Sequence, residues 1–497
     1  MTIDPRTPVL VGGGQYLHRA NGAGDGIEPA ALMARAIEAA ADDAGLSAPP
    51  AVDSLRVVST LSWRYQNPAY VVAQRIGLEP RELAVTTMGG NSPQALVNAT
   101  AGQIQSGELD VAILVGGEAW RTRMRARREG VELDWPRAPD DQPPATIGSE
   151  FTMNHQAELD RGIVQPVQVY PMFDTAIRAA SGRSPVAHLE LISEMWSRFS
   201  RVAADNPNAW SRQARTAADI RTPSSTNRMV GLPYTKCMNS NNDVDMAAAL
   251  IMCSAGAAGR LGIGADRWVF PHSGTDCHEH PFVSHRDTFT RTPAIEIGGR
   301  RALALADVGI DDVALIDLYS CFPSAVQLGA TSLGLDPFAP DRELTRTGGL
   351  AFAGGPWNNY VMHAIATMLA ELRGRAGEYG LVWANGGYAT KHSFGLYSSV
   401  PPADGFRHES PQAEIDALPR RQFAVPAAAA GPATIEAYTV MHSREGLPEK
   451  VISSCLLGDG RRAWGLSGDA GTAAALCDGE WVGRSVVLDP EGTLLVA

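Results

Sequence analysis

The sequence predicts a layered α/β fold built from two similar halves, followed by a small all-β domain. Three observations lead to this prediction. Strand and helix patterns alternate along the first 117 residues, and a similar order returns after residue 313. Short β-like runs separated by turn signals then fill the chain from about residue 430. Regular alternation of strands and helices is typical of sheets whose strands are joined by crossover helices.

The first half opens with an apolar run at 9–11, which we expect to stop at the three glycines 12–14. A helix should begin at Pro29 and end before Gly45, because proline and glycine are favoured at those two positions. The apolar pattern then predicts further elements in the first half: strands at 53–60, 82–87 and 110–115, and helices at 69–76 and 91–106.

The second half repeats this order, with strands at 313–318 and 380–384 and helices from Phe322 and at 358–373. In each half an apolar strand ends in two glycines, followed by one residue and then an alanine, at 116–119 and 386–389. The shared order of elements favours an internal duplication.

The remaining segments differ from the two halves in composition and in predicted secondary structure. Residues 121–268 form a long insertion that is helical in places, and residues 401–433 are rich in proline, alanine and charge, which is typical of a linker. The β-like runs that follow predict a small β-barrel: 434–442, 451–457, 462–466 and 481–488.

Composition excludes several classes of protein. The formal net charge of −12 argues against general nucleic-acid binding, because an acidic surface repels the phosphate backbone. No apolar run approaches the length of a membrane span, and the first residues lack the pattern of a signal peptide. Six cysteines among 497 residues do not make a disulfide framework, so we expect a reduced, cytoplasmic protein. The His-rich segment 272–280 fits no usual zinc spacing, and we expect no metal.

Four blocks of the chain resemble the thiolase superfamily: PVLVGGGQ at 8–15, IQSGELDVA at 104–112 with GGE at 116–118, NDVDMAAAL at 242–250, and GG at 348–349 with AGGP at 353–356. More narrowly, the chain resembles sterol-carrier-protein-type thiolases and thiolase-like proteins type 1 with an additional C-terminal domain.

The resemblance implies a five-layered fold, with two duplicated halves and an inserted loop domain. It divides the chain into a first half (1–120), a loop domain (121–268), a second half (269–400), a linker (401–433) and an OB-like β-barrel (434–497). The family often forms dimers through the third strand of its first half, here 83–87, so a homodimer is a possible assembly.

The catalytic positions of the resembled family are largely replaced. A thiolase takes up the acyl group on a cysteine at a helix N-terminus, where the helix dipole lowers the pKa of the thiol. Alignment places that cysteine at Gly89 and the histidine of the GHP segment at Gly355. Tyr319 stands in place of the histidine of the His-Asp-Cys-Phe motif, and Ala384 in place of the second cysteine.

Several residues remain as candidates for function. We expect Tyr319, Cys321 and His392 to handle protons. Backbone N–H groups near the start of the 91–106 helix should bind a thioester oxygen. The candidates for this oxyanion or substrate site are Gly89, Gly90, Ser92, His363, Asn385 and Gly386.

These observations lead to a first hypothesis: a protein of the acetyl-CoA acyltransferase type that acts on or binds acyl-CoA thioesters in lipid or sterol metabolism, without an acyl-cysteine. Coenzyme A or its thioester would be substrate or ligand, and no further cofactor is expected. One alternative is a non-catalytic protein that binds CoA, a lipid or a partner. A second alternative is a C–C lyase of the retro-aldol type that uses Tyr319.

Overall fold

The computed structural model describes residues 3–139 and 141–496. Its strands, in chain order, are β1 Pro8–Leu17, β2 Ser54–Val57, β3 Glu82–Thr86, β4 Val111–Ala119, β5 Ala145–Ile147, β6 Met229–Gly231, β7 Tyr234–Thr235, β8 Asp245–Ser254, β9 Phe270–His278, β10 Val313–Leu318, β11 Tyr379–Gly386, β12 Lys391–Ser398, β13 Arg407–Glu409, β14 Gly431–His442, β15 Pro448–Leu457, β16 Arg462–Ser467, β17 Ser485–Leu488 and β18 Leu494–Leu495.

Its α-helices, in chain order, are α1 Pro29–Asp43, α2 Pro68–Ile76, α3 Ser92–Ser106, α4 Trp120–Glu129, α5 Gln156–Asp160, α6 Pro166–Ala180, α7 Pro185–Asp205, α8 Ala217–Arg221, α9 Ala255–Arg260, α10 Pro293–Leu305, α11 Pro323–Ser332, α12 Gly349–Phe352, α13 Tyr360–Leu372, α14 Gln412–Asp416, α15 Pro426–Ala429 and α16 Ala470–Cys477.

Two sheets enclose a central pair of helices. The first sheet has the strand order β1-β8-β4-β2-β3-β5, and the second has the order β10-β11-β12-β9-β13. Helices α3 and α13 contact both sheets and each other. Helix α1 covers the outer face of the first sheet, and α10 packs on the second. The predicted five-layered α/β/α/β/α arrangement is therefore confirmed.

Strand β1 continues through the glycines at which we expected it to stop, so that boundary was wrong. Gly12 and Gly14 face α1, where a Cβ would collide with the backbone of that helix. Gly13 faces the other way, and a Cβ there would lie 3.2 Å from the Cα of Ala366 in α13. The glycines permit helices to pack closely on both faces of the strand instead of ending it.

Strand β8 lies between β1 and β4 and runs antiparallel to both. All ten of its residues are buried. The segment predicted as a loop domain, 121–268, thus contains a strand of the first sheet. The predicted linker 401–433 is also packed in part, because β13 pairs with β9 and α14 contacts α10.

The C-terminal strands form a sheet of order β16-β15-β14-β17-β18. Its two edges meet at a bridge between Leu466 and Thr493. Helix α16, which the sequence analysis did not predict, packs against β15. A link to the insertion comes from β6, which pairs with β14 at Gly231 and Met441.

The edge of β3 pairs with β5 of the same chain, with Ala84, Val85 and Thr86 opposite Ala145, Thr146 and Ile147. The homodimer that the resemblance makes possible would pair this edge across a two-fold axis. Since β5 already occupies it, the structure contradicts a dimer formed by pairing of β3 strands. Within the described residues, no helix is long and apolar enough to cross a membrane.

Candidate active site and adjoining cavity

A tight turn joins β3 to α3 and forms the centre of the site. Ser92 is the first residue of α3, and its backbone N–H donates to the carbonyl of Gly89 at 3.0 Å. The backbone N–H groups of Gly89, Gly90 and Asn91 have no acceptor among the residues described by the structure. They stand at the positive end of the α3 dipole, so they are suited to binding a negatively polarised oxygen.

The space beside Gly89 is filled by a lysine. A Cβ added at Gly89 would lie 2.8 Å from Nζ and 2.9 Å from Cε of Lys391, the first residue of β12. The ammonium group donates to the carbonyl of Met88 and lies 5.5 Å from the centre of the Phe151 ring. Lys391 therefore occupies the space into which a side chain at position 89 would project.

The space beside Gly90 is filled by a tyrosine. A Cβ there would lie 2.5 Å from the hydroxyl oxygen of Tyr319, which follows β10, and would also collide with the carbonyl of Asn385. The ring of Tyr319 packs edge-on against Tyr360, with centroids 5.6 Å apart. Burial, with a smaller effect of Cys321, raises the pKa of Tyr319 above its ordinary value, so the phenol remains neutral.

The position of the expected GHP histidine is closed as well. A Cβ at Gly355 would collide with the hydroxyl of Ser240 and would lie 2.9 Å from Oδ1 of Asn242. Both side chains come from the segment just before β8, and the hydroxyl of Ser240 donates to Asn242 at 2.7 Å. The three glycines of the site are thus matched by neighbouring side chains that take up the missing volume.

Cys321 lies beside a buried residue that sequence reasoning missed, Tyr170 of α6. The hydroxyl of Tyr170 accepts from Nδ2 of Asn385 at 2.8 Å and from the N–H of Ala389 at 2.9 Å. Burial raises the pKa of the Cys321 thiol to about 12, and the Tyr170 hydroxyl opposes this only in part. The thiol is therefore protonated at neutral pH, and a nucleophilic role is disfavoured.

His392 is held in the neutral form. Its Nδ1 accepts from the indole N–H of Trp383 at 3.4 Å, and its Nε2 donates to the carbonyl of Ala389 at 3.2 Å. Burial first, and then repulsion by Arg286, lower the pKa of His392 to about 3. With both ring nitrogens engaged, His392 positions the start of β12 and is a poor proton carrier.

His363 does not join the other candidates. It lies on α13 and donates from Nδ1 to Oε1 of Gln15 in β1, at 2.8 Å. Burial lowers its pKa to about 3.

Two other predicted residues do approach the turn. Gly386 is so close that a Cβ there would lie 3.1 Å from the backbone nitrogen of Gly90, and the hydroxyl of Ser92 donates to the carbonyl of Thr87 at 3.0 Å.

A cavity of about 680 Å³ opens beside the start of α3. This volume lies within the usual range for small-molecule sites. One face of α3 and the end of β5 supply apolar wall, including Ala95, Leu96 and Ile147. Of the predicted residues, Ser92 and His392 lie at its wall, whereas Tyr319, Cys321 and Asn385 are buried and do not line it.

Polar side chains complete the cavity wall. Asp276 of β9 accepts from the hydroxyl of Ser393 and from Nδ2 of Asn98, the latter at 3.1 Å. His408 of β13 lies with Nε2 2.7 Å from the same carboxylate. The carboxylate of Asp276 is thus already engaged by these three partners. Lys391 also lies at the cavity wall, and no carboxylate of the described residues lies within ion-pair distance of its ammonium group.

Two buried amide oxygens near the turn lack a donor among the described residues. They are Oδ1 of Asn91 and Oδ1 of Asn385. A Cβ at Gly386 would lie 2.9 Å from the first of them, which places that oxygen between the two glycine turns. The site therefore presents unpaired donors on the backbone and unpaired acceptors on two side chains.

Comparison with known proteins agrees with this architecture. Residues 411–493 match the family model of the thiolase-like protein type 1 additional C-terminal domain. No curated protein matches the sequence. The monomeric SCP2-thiolase-like protein type 1 of Mycobacterium smegmatis is 31% identical, with a TM-score of 0.83 and complete coverage of both chains. The chain belongs to the SCP2-thiolase-like protein type 1 family.

More distant relatives share the fold of this thiolase-like protein. The acetyl-CoA acetyltransferase of Syntrophomonas wolfei is 16% identical, with a TM-score of 0.54 over 79% of this chain and 99% of that one. Human mitochondrial 3-ketoacyl-CoA thiolase, in complex with CoA, is 17% identical, with a TM-score of 0.57 over 80% of this chain and 99% of that one. The thiolase fold thus covers about four fifths of the chain, and the remainder is the additional C-terminal domain.

Proposed function

We propose that this thiolase-like protein binds an acyl-CoA thioester in the 680 Å³ cavity and does not form an acyl-cysteine. The observation that carries the proposal is the place of the cavity, which opens at the N-terminus of α3. The turn before this helix carries the unpaired N–H groups of Gly89, Gly90 and Asn91, and of these three residues Asn91 lines the cavity. A thioester carbonyl directed at these groups would have its oxygen stabilised as in an oxyanion hole.

Thiolysis through a cysteine is disfavoured by three features. Gly89 offers no thiol, and Lys391 fills the space beside it. The thiol of Cys321 is buried and protonated because its pKa is about 12. The Gly355 position, where the GHP histidine would project, is filled by Ser240. The retro-aldol alternative is disfavoured where it needs the Tyr319 phenol to lose its proton, since burial raises the pKa of that phenol.

The family resemblance supports a role in lipid or sterol metabolism, and the six free cysteines support a reduced, cytoplasmic location. CoA would then be part of the ligand and not a resident cofactor. The apolar wall formed by Ala95, Leu96 and Ile147 suits an acyl chain, because its contact with these side chains removes apolar surface from water.

The test is calorimetric titration of the protein with acetoacetyl-CoA, acetyl-CoA and CoA. Ala95→Phe places a ring in the cavity and should weaken thioester binding by at least tenfold. The matched control is Gly102→Phe, which adds the same ring to α3 at a position where a Cβ meets nothing within 4 Å. Equal affinity in the two variants, or no binding to the wild type, would overturn the proposal.

A further inference from the structure

The amine of Lys391 is unusual in its position. It lies at the cavity wall, half-buried, beside the turn that starts α3. Its Nζ atom and Oδ1 of Asn91 both lie within 3 Å of the point where a Cβ of residue 89 would stand. An amine nitrogen is thus directed at the place where the resembled family carries its nucleophilic side chain.

The chain uses lysine very sparingly. Lys391 is one of three lysines, and the other 39 of the 42 basic residues are arginines. Every ion pair among the described residues is made by arginine or histidine. Where this protein needs only a positive charge, it uses arginine. Lysine differs from arginine in that its side chain can lose a proton and act as a nucleophile.

The surroundings of Lys391 favour the neutral amine. Burial lowers the pKa of its ammonium group, and the opposing attraction of Glu150 is the smaller effect. Among the described residues, Nζ donates its hydrogen bond to the Met88 carbonyl, a neutral group. A neutral amine has the lone pair that attack on a carbonyl carbon requires.

We infer that Lys391 forms an imine with the ketone carbonyl of a 3-oxoacyl ligand bound in the cavity. The inference rests on the proposed function, whose ligand it narrows from thioesters in general to 3-oxoacyl thioesters. It assigns Lys391 the part of a nucleophile that acts on the ketone and leaves the thioester intact.

The reaction balances without a further reagent. Nζ bonds to the ketone carbon, and the carbonyl oxygen takes up a proton to give a carbinolamine. The C–O bond then breaks, and the oxygen leaves as water with the two protons that were on the amine. The neutral imine can then take up one proton from solvent, and its N–H would lie between two acceptors, the carbonyl of Met88 and Oδ1 of Asn91, which otherwise lacks a donor.

The experiment is reductive trapping. The full chain is incubated with acetoacetyl-CoA and sodium cyanoborohydride, and peptide mass spectrometry locates the reduced adduct. Since there are three lysines, the other two are internal controls: Lys236 is exposed and Lys450 is half-buried. We expect labelling of Lys391 to exceed that of Lys236 by at least tenfold. Absence of an adduct at Lys391, or labelling of the three lysines in the order of their solvent exposure, would overturn the inference.

A matched variant and a second probe separate this inference from the proposed function. Lys391→Arg keeps the positive charge but forms no imine, so its adduct should be lost while its thermal unfolding stays close to that of wild type. Ethyl acetoacetate presents the ketone without CoA. Calorimetric binding of acetoacetyl-CoA without any adduct refutes the imine alone. An adduct with ethyl acetoacetate but no binding of CoA thioesters refutes the proposed function and leaves Lys391 as a carbonyl-reactive amine.

Discussion

Replacing Gly90 by alanine should destabilise the protein far more than replacing its neighbour Gly89. A Cβ at Gly90 would lie 2.5 Å from the hydroxyl and 2.9 Å from Cζ of Tyr319, and it would also collide with the carbonyl of Asn385. Real Cβ atoms essentially never approach closer than 3.0 Å, so these groups must move. One of them is backbone, and the other is a tyrosine packed in the core.

The collisions at Gly89 are less costly. A Cβ there meets Oδ1 of Asn91 and the Nζ and Cε atoms of Lys391, which are the far ends of flexible side chains. Overpacking a well-packed site costs about 1–3 kcal/mol, and a glycine-to-alanine change at an unstrained backbone returns about 0.4–1 kcal/mol. We therefore expect Gly90→Ala to lower the free energy of unfolding by about 2 kcal/mol, and Gly89→Ala by less than about 1 kcal/mol.

The assay is equilibrium unfolding in urea followed by circular dichroism, with the slope checked for each variant. Gly102→Ala is the control, because a Cβ there meets nothing within 4 Å, and it should stabilise α3 by about 0.5–1 kcal/mol. Adding Tyr319→Phe to Gly90→Ala should recover part of the loss, since it removes the hydroxyl but leaves the Asn385 carbonyl. A cost for Gly89→Ala equal to that for Gly90→Ala would refute the packing account.

Three further predictions concern other parts of the molecule. Because burial lowers the pKa of His392 to about 3 from about 6.5, the unfolded state binds more protons below pH 6.5, and stability falls as the pH drops from 6.5 toward 3. Between pH 8 and pH 5 the free energy of unfolding of the wild type, measured in urea, should fall by about 2 kcal/mol more than that of His392→Gln. An equal fall in the two proteins would contradict this. Tyr170→Phe leaves the buried N–H donors of Asn385 and Ala389 unpaired. Urea unfolding should therefore show a loss of about 3 kcal/mol in the free energy of unfolding. An unchanged midpoint would show that these two hydrogen bonds do not stabilise the fold. Sedimentation velocity at micromolar concentration should give a monomer of 52.8 kDa, because β5 covers the edge of β3. Sedimentation as a dimer would contradict this expectation.

Most of the layered core could be predicted from apolar periodicity and from the residues that begin and end helices. Helix α1 begins at Pro29 as expected, and β10 spans 313–318 as expected. The errors arose where tertiary packing overrides a local signal. The glycines at 12–14 indicate a turn when read locally, but they lie within β1 because helices approach both of its faces. Strand β8 returns to the first sheet after a long insertion; its apolar run at 246–253 indicates a buried segment but does not indicate the strands with which it pairs.

The site could be predicted only in part, because its packing also brings together residues that are far apart in the sequence. The resemblance identified Gly89, Gly90 and Gly355 as positions of missing side chains, but not the residues that fill them. Tyr170 lies some 150 residues before Cys321 in the sequence, and no local signal connects them. Lys391 had a usable signal, since it is a rare lysine four residues after the second Gly-Gly turn. The roles of His392 and His363 depended on burial, which sequence position alone does not give.

We propose that the site binds a thioester without the chemistry of an acyl-cysteine. The most direct test is to supply acetoacetyl-CoA and CoA at concentrations at which calorimetry shows the site to be occupied, and to follow the formation of acetyl-CoA. Binding with no acetyl-CoA above the level of the uncatalysed control is the predicted result. Formation of acetyl-CoA with multiple turnovers would contradict the account.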